Sequence, residues 1–320
     1  MDALEPQQRV SRGSARAEVD HHDHQPVLTP ARLPLLALAQ LLRPRQWTKN
    51  VVVFAAIVFD HKLAQPGQFL VVIGAFVAFC MASSAIYVIN DLKDAESDRL
   101  HPAKRNRPIA SGAVSPQLAL GTATLLLAVA LPLAIALHPS FGLVVFAYVA
   151  LMVSYSLFLK HVVILDVFSI AAGFVLRAAG GAVVIGVPIS PWLYVCTILL
   201  ALFVGFGKRR HELLLLDMAA GSHRRNLDEY SAELLDHFIL ISAAATVMAY
   251  SLYTFVAESL PDDHSMMLTI PFVLYALFRY LFLVHRRDAG GSPEQTLLSD
   301  LPLLGCIVAW GVVTIVILYR

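Results

Sequence analysis

The chain has 320 residues, 58% of them hydrophobic and only 15% charged, with a mean hydropathy of +0.67 and a formal net charge of +1. A soluble domain would carry charge on nearly a quarter of its residues, so this composition excludes one and predicts an all-α polytopic membrane protein. No nucleic-acid partner is expected, and the distribution of charge says more than its sum.

Residues 1–33 are mostly polar, contain Pro and lack an apolar period, which predicts a disordered tail ahead of a single transmembrane domain over 34–320. The cluster His21-His22-Asp23-His24 has metal-binding chemistry, but in such a tail it reads as composition rather than as a site. No apolar run follows the amino terminus closely, so no cleavable signal peptide is expected. Leu35 to Leu42 predicts a short interfacial helix, with Pro34 in its first turn. It leads into Arg43-Pro44-Arg45-Gln46-Trp47-Thr48-Lys49-Asn50. Trp beside Arg and Lys suits a headgroup boundary. The stretch reads either as an anchor alone or as one in which Lys49 and Asn50 hold a lipid phosphate.

Crossing segments are predicted at Trp47–Phe59 with its flanks, Gln68–Ile89, Pro116–Leu137, Phe141–Leu159 and Val162–Ile185. Further ones follow at Pro191–Gly207, Leu234–Val256, Met267–Val284 and Leu301–Tyr319. That is a bundle of about nine helices. Cys80, Cys196 and Cys306 lie within apolar runs at no metal-ligand spacing and read as small buried hydrophobes.

The chemistry concentrates after the second predicted span, in Asn90-Asp91-Leu92-Lys93-Asp94-Ala95-Glu96-Ser97-Asp98. Asp91, Asp94 and Asp98 stand at i, i+3 and i+7, so on a helix their carboxylates share one face. Like charges stacked in that way repel unless a divalent cation lies between them. Oxygen ligands without His or Cys favour Mg²⁺, which takes a few carboxylates together with waters and substrate phosphates. Downstream, Lys104, Arg105 and Arg107 supply cations suited to phosphate oxygens. The bland alternative is a solvated loop whose acids and bases pair with one another.

Lys and Arg placement predicts the orientation. The tail, the Asp-rich loop and the blocks at Lys160, Lys208–Arg210, Arg224–Arg225 and Arg286–Arg287 share one side. The other side has Lys62 and Arg320, with Glu258, Asp262 and Asp263. The amino terminus is therefore expected in the cytoplasm of a multi-pass cell-membrane protein, the carboxyl terminus outside. Asp166 and Arg177 lie about three turns apart on one face of the fifth span. They read either as a buried pair or separate interhelical bonds, or as part of a polar site. Lys208-Arg209-Arg210 reads either as a topogenic block or as a phosphate-binding one. Arg279 is expected to snorkel or to bond between helices.

With NDxxDxxxD at Asn90–Asp98 and a basic loop after it, residues 34–320 resemble the UbiA superfamily of intramembrane prenyltransferases. They are most similar to its branch of decaprenyl-phosphate phosphoribosyltransferases. The stretches that carry that likeness are Leu42–Asn50, His101–Gly112, Asp166-Val167 with Gly173–Arg177, and Gly207–Leu213. Such enzymes move 5-phosphoribose from phosphoribosyl pyrophosphate to a polyprenyl (decaprenyl) phosphate and release pyrophosphate, feeding cell-wall arabinan synthesis. Two departures from the superfamily stand out. Its second acidic motif is replaced here by Lys208-Arg209-Arg210-His211-Glu212, leaving Glu212 as the one nearby carboxylate. Its YxxxK pattern is displaced by one, from Tyr155 to Lys160.

The resemblance implies that Mg²⁺ on Asp91, Asp94 and Asp98, supported by Asn90, binds the pyrophosphate of the donor. Lys104, Arg105, Arg107 and Lys208, Arg209, Arg210 would share the pyrophosphate and the 5-phosphate, and Lys49, Asn50 and Arg177 the lipid phosphate. The isoprenoid tail is expected in a groove open to membrane lipid, and the sequence leaves a homo-oligomer open. Two other functions compete: a conventional prenyltransferase acting on an aromatic acceptor, and a secondary transporter with Asp166 and Arg177 on its ion path.

Overall fold

A backbone crossing hydrocarbon must satisfy its own N–H and C=O groups, so the crossing segments of this chain are helical. The computed structural model describes residues 34–100, 104–218, 229–257, 259–286, 291 and 293–320, and among these there are helices and no strands. The tail 1–33 with its His cluster, residues 101–103 and the basic stretch 223–228 lie outside the described residues.

The order is α1 (Pro34–Leu41), a 3-10 segment (Pro44–Phe54), α2 (Ala55–Phe59), α3 (Pro66–Lys93), α4 (Ala95–Leu100), α5 (Pro116–Leu137) and α6 (Pro139–Leu157). Then come α7 (Leu165–Val184), α8 (Pro191–Met218), α9 (Ala232–Val256), α10 (Ile270–Arg286), α11 (Pro293–Ser299) and α12 (Leu301–Tyr319). Pro opens α3, α5, α6 and α12, where its missing N–H costs nothing. Ser115, Ser231 and Asp300 cap α5, α9 and α12 by accepting from the N–H groups of Leu118, Leu234 and Leu303.

Eight of these helices are long and apolar enough to cross a membrane: α3, α5, α6, α7, α8, α9, α10 with its leading 3-10 turn, and α12. The first predicted span, Trp47–Phe59, is built differently. It is the 3-10 segment of 11 residues followed by the 5 of α2. At about 2.0 Å and about 1.5 Å per residue these reach about 30 Å, the thickness of the hydrocarbon core. An α-helix of the same residues would reach only about 24 Å. The segment does run between the two ends of the bundle. Arg43 at its start bonds Asp91, and the Val58 carbonyl near its close accepts from the Tyr319 hydroxyl.

Close packing holds that stretched backbone in place. A Cβ added at Gly181 of α7 would lie 2.0 Å from the Val53 carbonyl oxygen, so only glycine admits the contact. A 3-10 helix repeats every three residues, which stacks Trp47, Asn50 and Val53 on one face and Gln46 and Lys49 on another. Four apolar clusters form the interior among the described residues, and two of them are large. One gathers Val53, Ile57, Phe79, Phe141 and Tyr148, and the other Phe203, Phe206, Leu235, Leu283 and Leu303. Leu143, Phe278 and Val316 stay exposed on the outside, as lipid-facing positions do.

Candidate active site

α3 runs beyond the core as far as Lys93, breaks at Asp94 (φ −91°, ψ 4°) and resumes as α4 at Ala95. The acidic motif straddles that break. Asp91 and Asp98 are buried, each 3% exposed, and they converge on one atom. Arg107 Nη1 donates to Asp91 Oδ1 at 3.0 Å and to Asp98 Oδ2 at 2.7 Å, while Arg43 Nη2 donates to Asp91 Oδ1 at 2.5 Å. Asp94 turns aside and pairs with Lys160 at 3.5 Å. The single face expected of the three acids thus holds for two. The helix break at Asp94 and a cation on its own side account for the third. Among the described residues no three acidic, His or Cys side chains form one metal-binding group. Asn90 is half-buried beside them.

Arg107 reaches the acids because the loop before α5 is itself folded. Ile109 is buried, Gly112 takes φ 78°, and Val114 N–H returns to the Pro108 carbonyl. Lys104 and Arg105, in the same loop, are exposed. Lys160 arrives by another local device. α6 ends at Leu157, and a 3-10 turn over Leu159–His161 carries the lysine to Asp94, past half-buried Tyr155. The lysine of the displaced YxxxK pattern thus pairs with one acid of the motif.

Asn50 and Arg177 are brought together, each bonded to the other and to further protein groups, Asn50 donating from Nδ2 to Cys80 Sγ and Ser83 Oγ. Arg177 donates from Nε to Asn50 Oδ1 at 2.7 Å, from Nη2 to the Tyr148 hydroxyl at 2.7 Å and from Nη1 to the Gly173 carbonyl at 2.9 Å. Its guanidinium also lies 4.5 Å from the Tyr148 ring centroid. On the other face of the 3-10 segment, Gln46 Nε2 donates to Glu294 Oε1 at 2.5 Å and Lys49 pairs with Glu294 at 3.8 Å. Burial alone would raise the Glu294 carboxyl. Lys49, Gln46 and Lys208 outweigh it and hold the group below its ordinary value.

On α8 three consecutive cations point in three directions, as 100° per residue requires. Lys208 is half-buried, within electrostatic reach of Glu212 and Lys49. Arg209, 2% exposed, lies with Nε 3.2 Å from Asp166 Oδ2 and also pairs with Glu212. Arg210 pairs with Asp236 at 2.5 Å, and His285 approaches the same carboxylate at 3.1 Å. Asp166 and Arg177 therefore do not pair, despite their shared face; each makes separate interhelical bonds. Tyr230 completes this corner. Its hydroxyl donates to Asp166 Oδ1 at 3.1 Å and accepts the Ile164 N–H at 2.6 Å, and burial pushes it up to about 12. Ile164 is held there at φ 68°, a strained conformation for a β-branched residue. Arg279 forms two bonds to Asp300, at 3.0 and 2.8 Å, between α10 and the start of α12.

Sequence reasoning assigned no role to Arg43, Glu294 or Tyr230. Arg43 stood in a stretch already singled out. Glu294 and Tyr230 carried no local signal, since their partners lie 248 and 64 residues away. Beside the polar layer opens an apolar cavity of about 920 Å³. Tyr280, Leu297 and Leu303 line it near the acidic end, Phe203, Tyr250 and Trp310 along its length, and Asp60 and Ser259 near the opposite end.

A model of the UbiA prenyltransferase family matches residues 51–299. A decaprenyl-phosphate phosphoribosyltransferase of Mycolicibacterium smegmatis is 34% identical over 303 residues, covering 89% of this chain and 93% of that one. Its counterpart in Corynebacterium glutamicum is 35% identical over 280 residues, covering 85% and 84%. A UbiA homolog from Archaeoglobus fulgidus, solved with GPP and Mg²⁺, superposes with a TM-score of 0.68 at 18% identity, covering 89% of this chain and 100% of that one. At that identity the likeness is one of fold.

Proposed function

Because this chain belongs to the UbiA prenyltransferase family, we propose that it transfers 5-phosphoribose from phosphoribosyl pyrophosphate to a polyprenyl phosphate, in the manner of the decaprenyl-phosphate phosphoribosyltransferases it resembles. The observation that carries this reading is a buried acidic pair facing Arg43 and Arg107, with Lys160 on Asp94 and with Lys49 and Lys208 nearby. Such a site has cations for more than one phosphate group.

The donor set fits a divalent ion. Asp91 and Asp98 already share one cationic nitrogen, and two carboxylates with waters and substrate phosphates are a customary Mg²⁺ environment. When bound, Mg²⁺ would neutralise charge on the pyrophosphate oxygens. Asp91 and Asp98 would hold it, with Asp94 and Asn90 at the margin of the site.

In this reading Arg107, Arg43 and Lys160 hold the pyrophosphate end of the donor, with Lys104 and Arg105 at the entrance. Lys208 meets the 5-phosphate. Asn50 and Arg177, together with Tyr148, keep Lys49 in position for the lipid phosphate. Asp166, Arg209 and Glu212 brace α8 against α7, and Tyr155 lines the approach to Lys160. The C1–O bond to pyrophosphate breaks, its electron pair leaves with pyrophosphate, and an acceptor phosphate oxygen bonds to C1. That oxygen is already anionic, so no proton has to be removed. The isoprenoid tail lies in the apolar cavity. Residues 34–320 form the catalytic unit of a multi-pass protein of the cell membrane, with the acidic end in the cytoplasm.

Purified protein given labelled phosphoribosyl pyrophosphate and polyprenyl phosphate should place label in the lipid phase, with dependence on Mg²⁺. Label that stays aqueous, with turnover instead of a prenyl diphosphate and an aromatic acceptor, would overturn the proposal in favour of conventional prenyl transfer.

A further inference from the structure

We propose that the acceptor's phosphomonoester seats at the inner end of the apolar cavity, receiving a hydrogen bond from the Tyr280 hydroxyl and meeting Lys49 where Glu294 now lies. The proposal rests on the polyprenyl phosphate reading and adds to it a donor that sequence reasoning did not single out.

Tyr280 is 4% exposed, and its hydroxyl is one of three buried side-chain polar atoms among the described residues without a hydrogen-bond partner. The other two have simple outlets. Arg209 Nε faces the Asp166 carboxylate at 3.2 Å, and the Thr314 hydroxyl can turn about its own χ1. A phenol has no such freedom, because its oxygen goes where the ring goes. The Tyr280 ring is wedged against Phe203 at a centroid separation of 5.3 Å. Burying an unpartnered hydroxyl is unfavourable, so its placement calls for a ligand.

Its surroundings identify the ligand class. The ring lines the apolar cavity, which suits a hydrocarbon tail. The hydroxyl lies beside the α8 backbone at Gly207, where an added Cβ would stand 3.8 Å from it and 4.0 Å from the Val284 side chain. Glu294 is within electrostatic reach of Tyr280, Lys49 and Lys208 together. It stands one helical turn from Leu297, which lines the same cavity. The apolar wall and the unpartnered donor therefore lie within electrostatic reach of a carboxylate that pairs with Lys49 at 3.8 Å and already takes the anion's place on that lysine. A phosphate carried by a long apolar chain satisfies all three. The 5-phosphate of the sugar donor shares the charge but not the tail, so the test must separate the two.

Full-length protein in detergent is compared with Tyr280→Phe by binding of labelled polyprenyl phosphate without donor sugar, and by KM for each substrate. Losing one hydrogen bond to a charged group should weaken polyprenyl phosphate binding about ten- to a hundredfold. KM for phosphoribosyl pyrophosphate, binding of the phosphate-free polyprenol and the melting temperature should stay unchanged. Glu294→Gln, which removes the competing charge, should tighten polyprenyl phosphate binding. Unchanged polyprenyl phosphate affinity in Tyr280→Phe, or a rise confined to KM for the sugar donor, would overturn the assignment. Weaker binding in Glu294→Gln would overturn the exchange of carboxylate for phosphate. A wild-type protein that bound no polyprenyl phosphate would overturn the acceptor class as well, so the two failures are distinct.

Discussion

Asp91 is packed between two guanidinium groups, and Asp98 shares one of them, so the loss of either charge is felt by a half-buried arginine. Hydrogen bonds to charged groups are worth about 1.5–3 kcal/mol. Asp91→Asn and Asp98→Asn should therefore reduce turnover of the purified enzyme about ten- to a hundredfold or more. Asp94→Asn should have a smaller effect, because its 3.5 Å pair with Lys160 is partly exposed and such pairs contribute about 0–1 kcal/mol. Equal activity in Asp91→Asn, Asp98→Asn and wild type would return the motif to a paired, solvated loop. The α8 cations divide in the same way. Arg209→Ala removes the guanidinium paired with the buried Asp166 carboxylate, and breaking such a pair costs about 3–5 kcal/mol. It should lower the melting temperature and the yield of inserted protein. Lys208→Ala should leave the melting temperature alone and raise KM for phosphoribosyl pyrophosphate about tenfold. A melting-point loss in Lys208→Ala with no change in KM would reverse the two roles.

At the scale of elements, the 3-10 segment is the unusual part. It carries Arg43, Gln46, Lys49 and Asn50 into the site and is pressed against α7 at Gly181. The register follows from the two helix periods. Val53 sits over Gly181, so Asn50, three residues earlier, meets Arg177, four residues before Gly181 on α7. Gly181→Ala places a methyl in the Val53 carbonyl. Overpacking of this kind costs about 1–3 kcal/mol, occasionally more, and should lower both melting temperature and activity as the segment is displaced. Gly121→Ala in α5 is the matched control, since nothing lies within 4 Å of its added Cβ. Helix propensity alone favours alanine there by about 1 kcal/mol, so that variant should be neutral or stabilised. Identical behaviour of the two alanine variants would argue against the close approach.

For the whole molecule, charge is sorted by end. Among the described residues Arg43, Lys93, Arg107, Lys160, Lys208 and Arg286 lie at the acidic-motif end. At the other end Lys62 and Arg320 are neutralised by Asp60 and Asp263. Positively charged loops remain in the cytoplasm. A reporter fused after Arg320 should therefore read as extracytoplasmic, and one inserted near Ala219 as cytoplasmic. Both on one side would separate the α8 cations from the acidic motif and remove the common site. The cavity adds a constraint at the same scale, because it connects the polar layer with the opposite end through apolar walls. That geometry suits a lipid tail better than an ion path with polar groups at mid-membrane.

Hydropathy by itself determined that the chain is a helical membrane bundle and where eight of its long spans lie, because a crossing segment needs about 20 apolar residues in a row. The acidic motif was legible as well, but its i, i+3, i+7 register was interrupted by the helix break at Asp94, and Asp91 and Asp98 meet on the Arg107 guanidinium instead. The rest was settled by packing. Arg43 meets Asp91 across 48 residues, Gln46 meets Glu294 across 248, and Asp166 takes Arg209 instead of the in-register Arg177. No spacing encodes such pairs, because they depend on which helices become neighbours and how each is rotated. The first crossing shows the same limit. Its residues are compatible with an ordinary α-helix, and it is drawn out into 3-10 form where it must reach both ends of the bundle and lie flat on a glycine of α7.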